Sequence, residues 1–143
     1  MTPDQIERAI RQLSKKICCL SLSSIASGTY TPTISNLVNL TTATPLVWQY
    51  MRVGNVVTFS GLINIEATAA ANTGTSFDFD LPVFSDLTDG VELAGTIWGT
   101  GSILNGGQVQ PAASNTGQAF WFSQNTALGT ASIHGTYLIT AAP

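Results

Sequence analysis

Between Ile17 and Pro143 the chain carries a single cation, Arg52, and no lysine. Six acids accompany it there: Glu66, Asp78, Asp80, Asp86, Asp89 and Glu92. A body so poor in ions cannot clothe itself in the charged outer faces that surface helices use. Its polarity comes from Thr (19), Ser (13) and Asn (8), with Gly at 13 positions, and these belong to strands and turns. Charged residues are 9% of the chain, against roughly 25% in an average soluble domain. A body with one cation has no basic face for tracking phosphates, so nucleic-acid binding is not expected. Mean hydropathy is +0.24. No window, however, holds the roughly 18 apolar residues of a membrane helix. Disorder is excluded too, because it combines low hydrophobicity with high net charge.

Four of the five basic residues (Arg8, Arg11, Lys15, Lys16) lie in the first sixteen positions, so the chain has two unlike parts. Its 143 residues suit one compact domain with a short appendage. Thr2-Pro3-Asp4-Gln5 is a helix start: Thr2 as cap, Pro3 in the first helical position, Gln5 completing a capping box. Ile6, Ile10, Leu13, Ile17 and Leu20 then recur at 4-3-4-3 spacing, the narrow seam of a coiled coil. Asp4 to Arg8 and Glu7 to Arg11 are favourable pairs one turn apart. Two heptads are marginal alone, so the helix needs partner copies, its own head, or a socket in something larger. Self-association is the expectation. A helix lying on a membrane is disfavoured by Asp4, Glu7 and the lack of an aromatic anchor.

Lys15-Lys16 precede ICCLSLSSIASG, but four serines dilute that stretch and two acids precede it, so it does not read as a signal peptide. Adjacent Cys18 and Cys19 cannot bridge each other without strain. Interchain bridging is one reading, and two small thiols packed in a helix is the plainer one. With one His, they complete no standard zinc site within a chain.

Beyond the Ser-rich SLSSIASG the spacing predicts seven or eight strands. TYTPTISNLVNL is the first, and LVWQYMRV and NVVTFSGLINIEA flank a Gly54-Asn55 hairpin turn. SFDFDLPVF alternates, placing Phe77, Phe79 and Leu81 on one face and Asp78 and Asp80 together on a solvent face. LNGGQ reads as a further turn, and QAFWFS and ASIHGTYLIT complete the strands. The expected fold is mainly β, an antiparallel sandwich or jelly-roll-like head behind a short N-terminal coiled-coil helix. The boundaries are residues 1–20 for the helix, 21–28 for a linker and 29–143 for the head.

Catalytic chemistry is sparse. The single His134 sits on a strand, and no nucleophile elbow surrounds any serine. Asp78, Asp80, Asp86, Asp89 and Glu92 invite a two-carboxylate glycosidase, and the Asp78-Asp80 pair a hard cation such as calcium, but such spacing is common. Trp98 and Trp121 are the candidate receptor contacts among aromatics that otherwise belong to the core. No enzyme activity, cofactor, metal or catalytic residue is expected.

GTYTPTISNLVNL (28–40) followed by QYMRVGNVVTFSG (49–61) resembles a pattern in the C-terminal heads of bacteriophage fibre proteins, roughly GTYTPT…Y-x-R-x-G-N-x-V-T-x-x-G. Leu81-Pro82-Val83 and Gly135-Thr136-Tyr137 fit the same group. The similarity spans about residues 28 to 140, and YMRVGNVVTFSG is its specific part. It implies a trimeric β-sandwich head behind a stem, attaching virions to host surfaces or decorating them, with no catalytic residues. Ile10 and Ile17 against Leu13 and Leu20 favour a dimer by simple seam rules, and the resemblance favours a trimer. Arg52, the lone cation of the head, is expected to pair with a carboxylate, with a subunit interface as one place for it.

The expectation is therefore a structural virion spike. Its helix, about 30 Å long at 1.5 Å per residue, would trimerise and bind other virion proteins. Its head would recognise a host-surface glycan or protein. The alternatives are a capsid decoration or adaptor protein without a receptor, and a polysaccharide-degrading head. Exposed distal aromatics separate recognition from decoration.

Overall fold

The computed structural model describes residues 1–21, 25–99 and 104–140, with backbone alone at 15–21 and 104–105. One helix, α1 (Pro3–Ser21), precedes ten strands. They are β1 (Ile25–Tyr30), β2 (Ile34–Val38), β3 (Leu40–Pro45), β4 (Trp48–Val53), β5 (Val56–Ala67), β6 (Thr73–Asp80), β7 (Leu93–Gly99), β8 (Leu104–Ala113), β9 (Thr116–Ser123) and β10 (Gly129–Leu138).

The start of α1 forms as its sequence dictates. The Thr2 carbonyl accepts from the N–H groups of Gln5 (3.0 Å) and Ile6 (3.2 Å). Gln5 Oε1 in turn accepts the Thr2 N–H at 3.0 Å, the returning half of a capping box. Glu7 and Arg11 meet at 2.6 Å, whereas Asp4 and Arg8 form no ion pair. Ile6, Ile10 and Leu13 are all exposed, so α1 does not lay its seam on its own sheet. Ile17, Leu20, Cys18 and Cys19 lie outside the described side chains.

All ten strands pair antiparallel in one curled sheet of order β1-β4-β5-β10-β7-β8-β9-β6-β2. The twelve-residue β5 holds β4 along its first half and β3 along its second. Asn39 alone (φ 56°) links β2, at one end of the sheet, to β3, on β5, so the sheet curls back on itself. Asn39 fastens that closure. Its Nδ2 donates to Ala69 O (2.9 Å) and Thr75 Oγ1 (2.8 Å), and its Oδ1 accepts the Ala69 N–H (2.8 Å).

Inside the curl, alternate residues of each strand build one core: Val57, Phe59, Ile63 and Ile65 from β5, and Ala131, Ile133 and Tyr137 from β10. Phe77 and Phe79 of β6, Ile97 of β7 and Trp121 of β9 fill the centre with Trp48. Fully burying a side chain of this size contributes about 1.5–3 kcal/mol. The largest rings rest on inward glycines: Trp48 over Gly61, Phe59 over Gly135, Phe79 over Gly117.

Several sequence expectations need correction. TYTPTISNLVNL supplies parts of three strands, because Pro32 lacks an N–H and Asn36 and Asn39 take positive φ. The strand count rises to ten accordingly. Residues 25–28, expected within the linker, pair with β4 from Ile25↔Val53 onward. LNGGQ is not a turn: Gly106 and Gly107 lie within β8, at a register shift against β9. The Gly54-Asn55 turn does form between paired Val53 and Val56, with Gly54 at φ 59°.

Candidate ligand-binding face

Residues that point away from the core form continuous rows across the strands, because paired residues share a face about 4.8 Å apart. One row runs Gln49, Ser60, His134, Thr96, Gln108, Phe120 through β4, β5, β10, β7, β8 and β9. A second runs Leu62, Ser132, Trp98 through β5, β10 and β7, and continues to Gly106 and Phe122. A third runs Ile25, Val53, Val56, Leu138 through β1, β4, β5 and β10. None of these residues is Asp, Glu, Lys or Arg.

The three rows differ in character. The third is aliphatic and exposed throughout, with Ile25 57%, Val53 54%, Val56 41% and Leu138 50% open. Three residues separate its first member from the end of α1. The first row is mostly amide and hydroxyl. Two open grooves of about 660 Å³ flank its Gln49–Ser60–His134 stretch, one towards Ser27 and Thr136, the other towards Val47 and Leu62. The second row is aromatic, and a groove of about 400 Å³ lies beside it among Asn72, Gly106, Phe122 and Gln124.

His134 is exposed at the centre of the first row, with Thr96 Oγ1 3.3 Å from its Nε2. Ser60 stands opposite it, but Ser60 Oγ accepts from Gln49 Nε2 (3.2 Å), and no carboxylate shares the row. Among the described residues no carboxylate orients His134 as a base; its ring meets the Thr96 hydroxyl.

Trp98 is 61% exposed, while Trp121 is 1% exposed and packs edge-on against Phe77 at 5.8 Å. Trp121 is thus a core residue, because Gly117, Ala119 and Trp121 form the inward set of β9. The outward aromatics of that strand are Phe120 and Phe122, which meet at 5.3 Å. The alternation that begins with Gln118 in QAFWFS carried that signal.

Among the described residues Arg52 finds no carboxylate. Its Nε donates to Gly54 O at 2.8 Å, folding the side chain onto the hairpin it precedes. The only ion pair among the described residues is Glu7–Arg11. Asp78 and Asp80 do not sit side by side in solvent. Asp78 is 6% exposed and accepts from Asn36 Nδ2 (2.7 Å) and Gln118 Nε2 (3.1 Å). Asp80 accepts the Thr33 N–H at 2.5 Å. The β2 strand and Gln118 cover the outer face of β6, which alternation within β6 alone does not reveal. No group of three or more His, Cys, Asp or Glu that could hold a metal stands together among the described residues.

The rings quoted in the fibre-head pattern, Tyr30, Tyr50 and Phe59, pack in or against the core. Tyr30 and Tyr50 meet edge-on at 6.1 Å, Tyr30 and Trp48 at 5.9 Å, and Trp48 stacks on Phe59 at 6.0 Å. Burial and the nearby Tyr137 and Asp80 push the Tyr30 phenol far above its ordinary range.

These features define an antiparallel β protein with an exposed helical seam and an uncharged outer face. No protein-family model, curated protein or solved structure matches the chain.

Proposed function

We propose that this chain is a structural spike protein of a bacteriophage particle, a homotrimer joined through α1 and the base of the head. In this reading the curled sheet is the jelly-roll-like sandwich of a fibre head, and its far end recognises a host surface. The observation that carries it is the pairing of two unsheltered apolar surfaces close in sequence. The α1 seam (Ile6, Ile10, Leu13) is exposed, and the aliphatic row Ile25–Val53–Val56–Leu138 begins three residues after the helix. A lone soluble chain rarely leaves apolar surface so contiguous, and copies related by rotation would cover both at once. The hairpin YMRVGNVVTFSG, on which the resemblance rests, adds support from sequence.

Recognition is favoured over plain decoration by Trp98. Along β10, six residue steps lead from its partner Ser132 to Leu138, about 20 Å at about 3.3 Å per residue. The exposed ring therefore stands at the end of the face remote from the aliphatic row.

The test is a double substitution in the full chain. Ile10→Glu with Leu13→Glu puts like charges into the seam and leaves the head untouched. Sedimentation equilibrium is expected to show the oligomer reduced to monomer, with the far-ultraviolet strand signal unchanged. An oligomer that survives both substitutions removes the helix from the account.

A further inference from the structure

The geometry points to a binding surface for a neutral saccharide on the exposed Trp98 ring and in the adjoining groove lined by Asn72, Gly106, Phe122 and Gln124. The proposal rests on the reading of the head as a recognition module and gives it a site and a ligand class.

The surface is built by three neighbouring strands. Trp98 leaves β7 on the outer face, and its ring leans over Gly106 of β8. A Cβ at Gly106 would stand 3.3 Å from two ring carbons, and Gly106 holds φ 95°, which side chains rarely adopt. The ring is thus backed by bare backbone while 61% of the residue stays open. Phe122 of β9 is 53% exposed and held edge-on by Phe120. The Trp98 ring covers Gly106 and Phe122 lines the groove beside it, two exposed rings in a protein that buries most of its other rings.

Polar groups at the rim are amides. Gln124 Nε2 donates to Asn72 Oδ1 (3.0 Å) and to Phe122 O (3.3 Å), which leaves Gln124 Oε1 and Asn72 Nδ2 as an adjacent acceptor and donor. A pyranose ring presents C–H groups on its faces and hydroxyls around its edge. Flat aromatic surface suits the first, and amides that both donate and accept suit the second. Charge selects within that class. No described lining residue is ionic, and Arg52, the one cation of the head, is tied to Gly54 near the base row. An anionic sugar would meet no counter-charge, so the ligand is neutral.

The experiment is saturation-transfer difference NMR on the full chain with maltotetraose, mannotetraose and galactotetraose, with tetragalacturonate as the anionic control. The expected result is binding of at least one neutral tetrasaccharide and none of the control. Trp98→Ala and Phe122→Ala are each expected to weaken that binding at least tenfold, while Trp98→Phe retains part of it. Both Ala variants should melt close to wild type, because the rings lie on the surface. Absence of binding by all three neutral sugars, equal binding of the anion, or binding unchanged in Trp98→Ala overturns the proposal. Sedimentation of the same sample separates the two readings. An oligomer that binds no sugar sinks the sugar site alone, and a monomer that binds sugar sinks the spike alone.

Discussion

Gly61 closes the sequence pattern YMRVGNVVTFSG, and its role is to make room. A Cβ there would stand 2.0 Å from one atom of the Trp48 ring and 2.1 Å from another. Trp48 cannot retreat: it is fully buried, stacks on Phe59, and donates its Nε1–H to Leu62 O at 2.9 Å. Gly61→Ala therefore over-packs the core where it is least able to yield. It should cost about 3 kcal/mol, at the upper end of over-packing penalties. A urea denaturation curve checks this, and a midpoint within error of wild type would show that Trp48 has somewhere to go. This scale was only partly legible. The period-2 pattern placed Phe77, Phe79 and Leu81 on one face, but not which glycine lies under which ring, because those contacts join strands distant in sequence. Trp121 was misassigned for a related reason, since an FWF run read alone does not say which parity faces the core.

Among elements, β10 holds the segment between β6 and β7 in place through Leu138, which bonds Ser85 and Glu92, and through one buried phenol. Tyr137 is 1% exposed, donates its O–H to Val83 O (2.7 Å) and accepts the Val83 N–H (3.0 Å). Burial raises its pKa from 10.0 to about 12, against the opposing pull of the Val83 hydrogen bond. A raised folded pKa means stability that is full below about pH 10 and is lost as pH climbs from 10 towards 12. Tyr137→Phe strands both Val83 groups and should lower stability at pH 7 by about 1–3 kcal/mol. It should also shrink the loss of stability seen on going from pH 9 to pH 11, with the buried Tyr30 supplying what remains. Urea midpoints of both proteins at the three pH values test it, and equal pH slopes would count against a buried Tyr137. The strands themselves were well marked by alternation and by Gly54-Asn55. Closure was not, because a one-residue passage at Asn39 looks in sequence like continuous strand. Asp78 was misplaced for the same reason: its cover comes from β2 and β9.

For the whole molecule, the poverty of charge belongs to the head. Four of the acids there, Glu66, Asp78, Asp80 and Glu92, serve as hydrogen-bond acceptors within the fold. Glu92 Oε2 takes the N–H groups of Thr88 (2.5 Å) and Asp89 (2.8 Å), and Asp78 and Asp80 are engaged as described. What remains outside is hydroxyl, amide and aliphatic, arranged so that an aliphatic row lies near the helix and aromatic rings lie about 20 Å away along β10. In the proposed reading, that polarity along one face separates a surface for copies of the chain from a surface for something else. The central claim is that copies assemble, and the most direct measurement is the solution mass of the intact wild-type chain by light scattering. The account predicts three times the 15.0 kDa of one chain. A single 15.0 kDa species at micromolar concentration would contradict it.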